Sequence, residues 1–377
     1  MKRRIASHYA LIDSRLERNI IITVDDSGLI TTIERCDNID SCAGVEFYPG
    51  ILIPAMINAH CHLELAYLHG AIAEGSGFAG FARAIGEVRG NYTTKERIHA
   101  AEVADARMWE QGIAAVADIA NDDLIMSIKH RSKIEYHTMF EHFGINNNDV
   151  ERLNMVATKY SNSSVTPHST YSVNEASYRR IATTGRAPLS IHFEESDDER
   201  ALYRHEGSLW AWYERMGWEC DFLDYGSPAA RIVGSTPPDR RVMLVHATRV
   251  TEEDIATIEA HFDIKPTWVV CPESNRYISR LAPPIELLRT MGCNIAIGTD
   301  SLASARSLSM VDNMLPLGDI PLVELLTYAT RGGARALGID DRLGTIEVGK
   351  RPGLVILRDA DLQSLRLTPE SKTYRIL

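Results

Sequence analysis

Short apolar runs broken by polar turns set the pattern of this chain from its first residues. The run Ile20-Ile21-Ile22-Thr23-Val24, the turn Asp25-Asp26-Ser27-Gly28 and the run Leu29-Ile30-Thr31-Thr32-Ile33 predict a β-hairpin, because β-branched residues flank a turn rich in Asp, Ser and Gly. A matching fragment closes the chain: Gly344-Thr345-Ile346-Glu347-Val348-Gly349-Lys350, then Leu354-Val355-Ile356-Leu357. These ends predict one small β-sandwich domain assembled from residues 1–50 and 344–377. Between them, apolar runs at 51–58, 113–119, 134–140, 164–168, 189–193, 242–246, 267–271 and 294–298 read as eight buried strands.

Helices intervene with recognisable punctuation. Thr93 to Glu96 is a capping box whose helix should stop at Gly112; Ser172 to Glu175 is read as a second box, with a stop at Gly185. Thr251 opens a third helix with acids in its first turn, which suits the helix dipole. Eight β/α units over 51–343 fit the size of a (β/α)8 TIM barrel in an α/β protein. A doubly wound sheet is the rival, but no Gly-x-Gly-x-x-Gly follows a first strand. Residues 70–90, with Phe78, Phe81, Arg83 and Arg89, are expected to form a long Gly-rich loop shaping a pocket; Arg83 or Arg89 could meet a substrate carboxylate, a surface position being commoner for Arg.

Composition narrows the partners. A formal charge of −11 argues against a nucleic-acid surface, and no apolar stretch reaches the length of a membrane span. The basic start Met1-Lys2-Arg3-Arg4 lacks the apolar core of a signal peptide. Six cysteines without Cys-x-x-Cys spacing are expected as reduced thiols in a cytoplasmic protein. A small molecule is the expected partner, and a homodimer is left open.

The chemistry gathers at the strand ends. His60 and His62 follow the first apolar run at spacing i, i+2, so an extended chain presents both imidazoles to one side. His168, His192 and His246 end the fourth, fifth and sixth runs, and Asp300 lies just past the eighth. Five of thirteen histidines thus fall at the barrel face where such enzymes do chemistry, whereas core histidines would scatter. Neutral imidazoles and a carboxylate converging there point to a metal.

In this order the motifs resemble the amidohydrolase superfamily, in its mononuclear deaminase and chlorohydrolase-like branch. They are Pro-x-x-Ile-Asn-Ala-His-Cys-His-Leu-Glu at 54–64, Thr-Pro-His-Ser at 166–169, His-Phe-Glu-Glu-Ser at 192–196, Val-His-Ala at 245–247, Cys-Pro-Glu-Ser-Asn at 271–275 and Gly-Thr-Asp-Ser at 298–301. The resemblance implies one divalent ion, Zn²⁺ first and Fe²⁺ as the alternative, held by His60, His62, His192 and Asp300. Glu195, at His-x-x-Glu spacing after His192, is expected to carry a proton to a substrate ring nitrogen, with Glu194 the other candidate. Asp300 and His246 would take the proton of the attacking water. Binuclear relatives place a bridging lysine on the fourth strand; His168 stands there instead and is expected to bind substrate, which favours one metal. Glu64 and Ser301 are further substrate-contact candidates, Asn275 either a contact or a loop support, and Cys61 is expected to point into the barrel wall.

The function expected is hydrolytic deamination of an amino-substituted nitrogen heterocycle, purine- or adenosine-like, as in aminodeoxyfutalosine deaminases, with release of ammonia. Hydrolytic dechlorination uses the same constellation and stays open. Cyclic-amide hydrolysis usually needs the lysine site. A catalytically inactive metal-binding sensor or scaffold is a third reading, and it would not require Glu195 and His246 together.

Overall fold

A computed structural model describes residues 2–37 and 42–377. Strands from both chain ends join in one seven-stranded mixed sheet. The hairpin Ile20–Val24 with Ile30–Arg35 pairs antiparallel at one edge, Leu354–Arg358 lies antiparallel to Val45–Pro54, and Arg3–Ile12 links the two halves. Ile5, Ile22, Val24, Leu52, Leu354 and Ile356 form its core. Ile346 joins that core from a segment that is not itself a strand.

The apolar run at 51–58 does not serve the barrel as one strand. Val45–Pro54 stays in the mixed sheet, and the first barrel strand is Met56–Cys61. The hand-over falls at Ala55: its N–H donates to Gly353, whereas the N–H of Met56 donates to Gly112. Pro54, lacking an N–H, sits where the chain leaves one sheet for the other.

The remaining barrel strands are Ile113–Ala120, Glu135–His142, Ser163–Pro167, Leu189–Phe193, Val242–His246, Thr267–Val270 and Asn294–Ile297. They form two parallel four-stranded ladders, strands one to four and five to eight. Single parallel bridges join the ladders at both seams, Ser169 to His192 and Cys61 to Asp300. The result is an α/β barrel with small, branched and methionine side chains inside, among them Ile57, Ala59, Ala115, Ala117, Met139, Met243, Val245 and Val269. Both seam bridges involve residues at the strand C-terminal ends, where the histidines lie.

Three local expectations change. Residues 70–90 are not a plain loop: Gly77–Val88 is a helix. Its Phe81, Ala84, Ile85 and Val88 recur at helical spacing and pack near Tyr67 and Tyr92, which outweighs the helix cost of its glycines. Arg83 and Arg89 are exposed. The helix Glu175–Thr183 is capped by Asn174, whose side chain accepts from Ser177, because the Ser172 hydroxyl is bonded to His168 instead. Finally, Cys36 and Cys42 are joined in a disulfide, contrary to the expectation of six free thiols; their spacing closes a short loop that a search for Cys-x-x-Cys passes over. The boxes at Thr93 and Thr251 form as read from the sequence. Among the described residues no helix is long and apolar enough to cross a membrane.

Candidate active site

The site grows from a zip between the first barrel strand and the loop after the eighth. Asn58 donates to Thr299 Oγ1 at 2.7 Å and accepts from the Thr299 N–H at 3.1 Å. The His60 carbonyl accepts from the amides of Thr299 and Asp300, at 2.9 and 3.0 Å, and the His62 N–H donates to the Asp300 carbonyl at 3.2 Å. Asp300 reaches this place with φ of 56°, in the left-handed region. Gly298 precedes it because a Cβ there would lie 2.8 Å from His60 Cβ and 2.9 Å from Cys271 Sγ. The backbone thereby sets His62 Nε2 3.2 Å from His60 Nε2 and 3.5 Å from Asp300 Oδ1, with His60 Nε2 at 3.9 Å from the same oxygen.

The fifth and sixth strands bring two more imidazoles. The His192 ring centre lies 4.9 Å from that of His60, and the His246 ring stacks on His192 at 5.4 Å. Three of the rings are tethered on the outer nitrogen. His60 Nδ1 meets Ser190 Oγ at 3.2 Å, His192 Nδ1 donates to the His168 carbonyl at 3.0 Å, and His246 Nδ1 donates to Asn275 Oδ1 at 2.8 Å. Such outer contacts fix tautomer and orientation, and leave Nε2 for the centre. Asp300 is treated alike: Oδ2 accepts from Ser274 at 2.5 Å and Ser304 at 2.8 Å, so Oδ1 faces the histidines.

Electrostatics prepares the same set. Burial, then the neighbouring imidazoles, holds His60 well below its ordinary pKa, and burial brings His62 down to about 4 against the pull of Asp300. His192 and His246 are lowered by burial as well. Burial opposes ionisation of Asp300, but His62, His246 and the Ser274 hydroxyl outweigh it and its pKa is lowered. Neutral imidazoles and an ionised carboxylate are the protonation states that metal ligands need. Ligand atoms of His60, His62 and Asp300 lie within 4.8 Å of one another, as do those of His60, His192 and His246. Nitrogen and carboxylate donors so placed fit a zinc-like divalent ion.

The other candidates separate by direction. Glu195 is largely buried, its side chain 12% exposed, with Oε1 3.8 Å from His246 Nε2, and burial pushes its pKa up to about 7. Glu194 turns away, accepting from Arg200 Nη1 at 2.8 and 3.0 Å, so only Glu195 of the two faces the histidines. His168 packs 4.7 Å from His192, with Nδ1 2.7 Å from Ser172 Oγ. Glu64 lies outside the cluster: it is buried, accepts the Asn121 N–H at 2.9 Å, and burial raises its pKa to about 7. Ser301 Oγ is 3.1 Å from Ser304 Oγ, in the chain that supports Asp300. Cys61 is buried on the outer side of the strand, in the wall.

Glu141 was absent from the candidates read in the sequence. It is the penultimate residue of the third strand, with Oε1 3.6 Å from His192 Nδ1, and burial raises its pKa to about 8. The strand read as ending at Phe140 runs on to His142, and that extra turn of the pleat was the missing signal. Ser190 and Ser304 also went unread, since single serines carry no pattern, and Ser274 stood inside the motif at 271–275 without an assigned role.

Imidazole and carboxylate groups that could hold a metal, at the C-terminal mouth of a β/α barrel with a largely buried acid beside them, fit a metal-dependent hydrolase site. Residues 51–370 match the amidohydrolase family, and the chain belongs to it. It is 27% identical over 334 residues to an adenosine deaminase of Helicobacter pylori, covering 82% of this chain and 79% of that protein. It is 26% identical over 354 residues to a 5-methylthioadenosine/S-adenosylhomocysteine deaminase of Teredinibacter turnerae, covering 84% and 74%. The crystal structure of Helicobacter pylori aminofutalosine deaminase, in complex with methylthio-coformycin, superposes over 100% of both chains with a TM-score of 0.84 at 22% identity.

Proposed function

We propose that this amidohydrolase is a mononuclear metal-dependent aminohydrolase that converts an adenosine-like compound and water into the 6-oxo product and ammonia. The observation that carries the reading is Glu195, a largely buried acid with a pKa of about 7, set 3.8 Å from His246 beside the His60–His62–Asp300 group. The deaminase relatives in both sequence and structure support the substrate class.

His60, His62, His192 and Asp300 would hold the ion, zinc first and iron as the alternative. When bound, it supplies Lewis-acid activation of water. Around it, Glu195 donates a proton to the ring nitrogen next to the amine-bearing carbon, then recovers one. A group titrating near 7 can do both at neutral pH. Asp300 with His246 accepts the protons released by the attacking water and passes them on, one restoring Glu195 and one to the leaving amine, so that water's two protons end on the ring nitrogen and the ammonia. His168, at the fourth strand in place of a lysine and 4.7 Å from His192, is assigned to substrate binding, and Ser301 and Glu64 are the further contacts proposed, although Glu64 itself is bonded to Asn121 outside the histidine cluster. Aminodeoxyfutalosine is the particular substrate proposed. The test is ammonia release from a panel of adenosine, 5-methylthioadenosine, S-adenosylhomocysteine and aminodeoxyfutalosine: kcat/KM should be highest for the last, and a higher value for another member would reassign the substrate.

A further inference from the structure

Asp118 and Lys129 form an ion pair sealed between the barrel wall and the helix Met126–Arg131, with side chains 0% and 2% exposed. Asp118 lies on the second barrel strand, opposite Cys61 on the first and Thr138 on the third. The Lys129 ammonium touches the Asp118 carboxylate and donates to Thr138 Oγ1 at 3.3 Å. The other carboxylate oxygen accepts the Leu63 N–H at 2.9 Å.

That amide is special. Leu63 opens the 3₁₀ turn Leu63–Leu68, and His62 at its N-cap offers no side-chain bond to it. The free amides at a helix start need an acceptor, and Asp118 provides one from a neighbouring strand. Pairing between the first two strands also shifts register between Asn58 and Cys61, so the ladder is broken where the histidines sit. The Leu63 bond re-attaches the chain immediately after His62.

Stability alone does not explain the pair. Taking two ions out of water costs several kcal/mol each, and apolar replacements of buried pairs are often neutral or stabilising. An apolar side chain at position 118 would leave the Leu63 amide without its acceptor. We propose that Asp118, neutralised and aimed by Lys129, is a positioning residue for His62, fixing the segment that carries its imidazole to the metal locus. The proposal rests on the metal-site reading above.

The experiment measures zinc affinity by competition with a chromogenic chelator, alongside thermal unfolding, on the full chain. The double variant Asp118→Leu/Lys129→Met should keep its Tm within a few degrees yet bind zinc about 10–100-fold more weakly, the usual loss when a ligand's support is removed. Asp118→Asn/Lys129→Met retains a carbonyl acceptor for Leu63 without either charge, and should bind within about threefold of wild type on the same scale. Zinc binding at wild-type strength in the Leu/Met variant, or an equal loss in both double variants, would overturn the proposal. Should the Leu/Met chain not fold, Lys129→Met alone replaces it: affinity lost there and regained in the Asn/Met variant supports positioning, and affinity kept overturns it. A wild-type chain that binds no zinc overturns the metal reading itself.

Discussion

His246 Nδ1 lies 2.8 Å from Asn275 Oδ1, and this one buried bond decides which face of the imidazole meets Glu195. With the Nδ1 proton given to Asn275, Nε2 is the nitrogen 3.8 Å from the Glu195 carboxyl. Asn275→Leu removes the acceptor and leaves a buried N–H unpaired. The expected outcome is a kcat about 10–100-fold lower at unchanged zinc content, the scale of losing an orienting partner. Steady-state kinetics with metal analysis checks it, and Asn275→Asp should recover most of the rate.

The two adjacent glutamates should behave in opposite ways. Glu195→Gln is expected to lower kcat by about 10²–10⁴-fold, the range for losing a general acid–base group, with metal retained. Glu194→Gln weakens the contact to Arg200 and should lower the Tm while kcat stays within a few-fold of wild type. Reversed effects would move the proton-carrying role to Glu194.

Zinc binding should appear as stability. A ligand that binds only the folded chain adds about 2.7 kcal/mol at a concentration one hundred times its Kd. Adding zinc to the metal-stripped wild type should raise its Tm, and the increment should vanish in His60→Ala and Asp300→Asn. Metal analysis should return one ion per chain; two would contradict the mononuclear reading.

Glu199 gives a pH signature of folding. Burial raises its pKa to about 8, although it accepts bonds from the Thr170 hydroxyl and the Glu195 N–H. In the unfolded chain it titrates near ~4.3. Between these values the native state holds a proton that the unfolded state has lost, so its stabilising contribution is full below about pH 4.3 and falls away as pH rises toward 8. One such group gives a slope of at most about 1.4 kcal/mol per pH unit. Denaturant titrations across this window should show a shallower slope for Glu199→Gln; identical slopes would contradict the burial of a neutral carboxyl.

What the sequence discloses depends on whether a feature has a local period. His60 and His62 were legible because alternate residues of a strand share a side, and the strand ends carrying His192 and His246 stood out as apolar runs. The hairpin at 20–35 and the boxes at Thr93 and Thr251 follow from turn and capping chemistry within a few residues. The helix Gly77–Val88 was hidden because its glycines read locally as loop, while the contacts that hold it come from Leu65, Tyr67 and Tyr92. Asn58 with Thr299, His246 with Asn275 and Asp118 with Lys129 have no sequence signal at all, since each pair is joined only when the strands and helices pack. The donors could be read from the chain, but the tethers that aim them could not.

Hydrolytic deamination at the His60–His62–His192–Asp300 locus has a fixed stoichiometry, which ammonia release measures. Zinc-loaded wild-type chain given an adenosine-like nucleoside should release one ammonia for each nucleoside consumed, with the 6-oxo compound as the sole nucleoside product. Consumption of the nucleoside without ammonia, or no turnover of any adenosine-like compound by fully zinc-loaded chain, would contradict it.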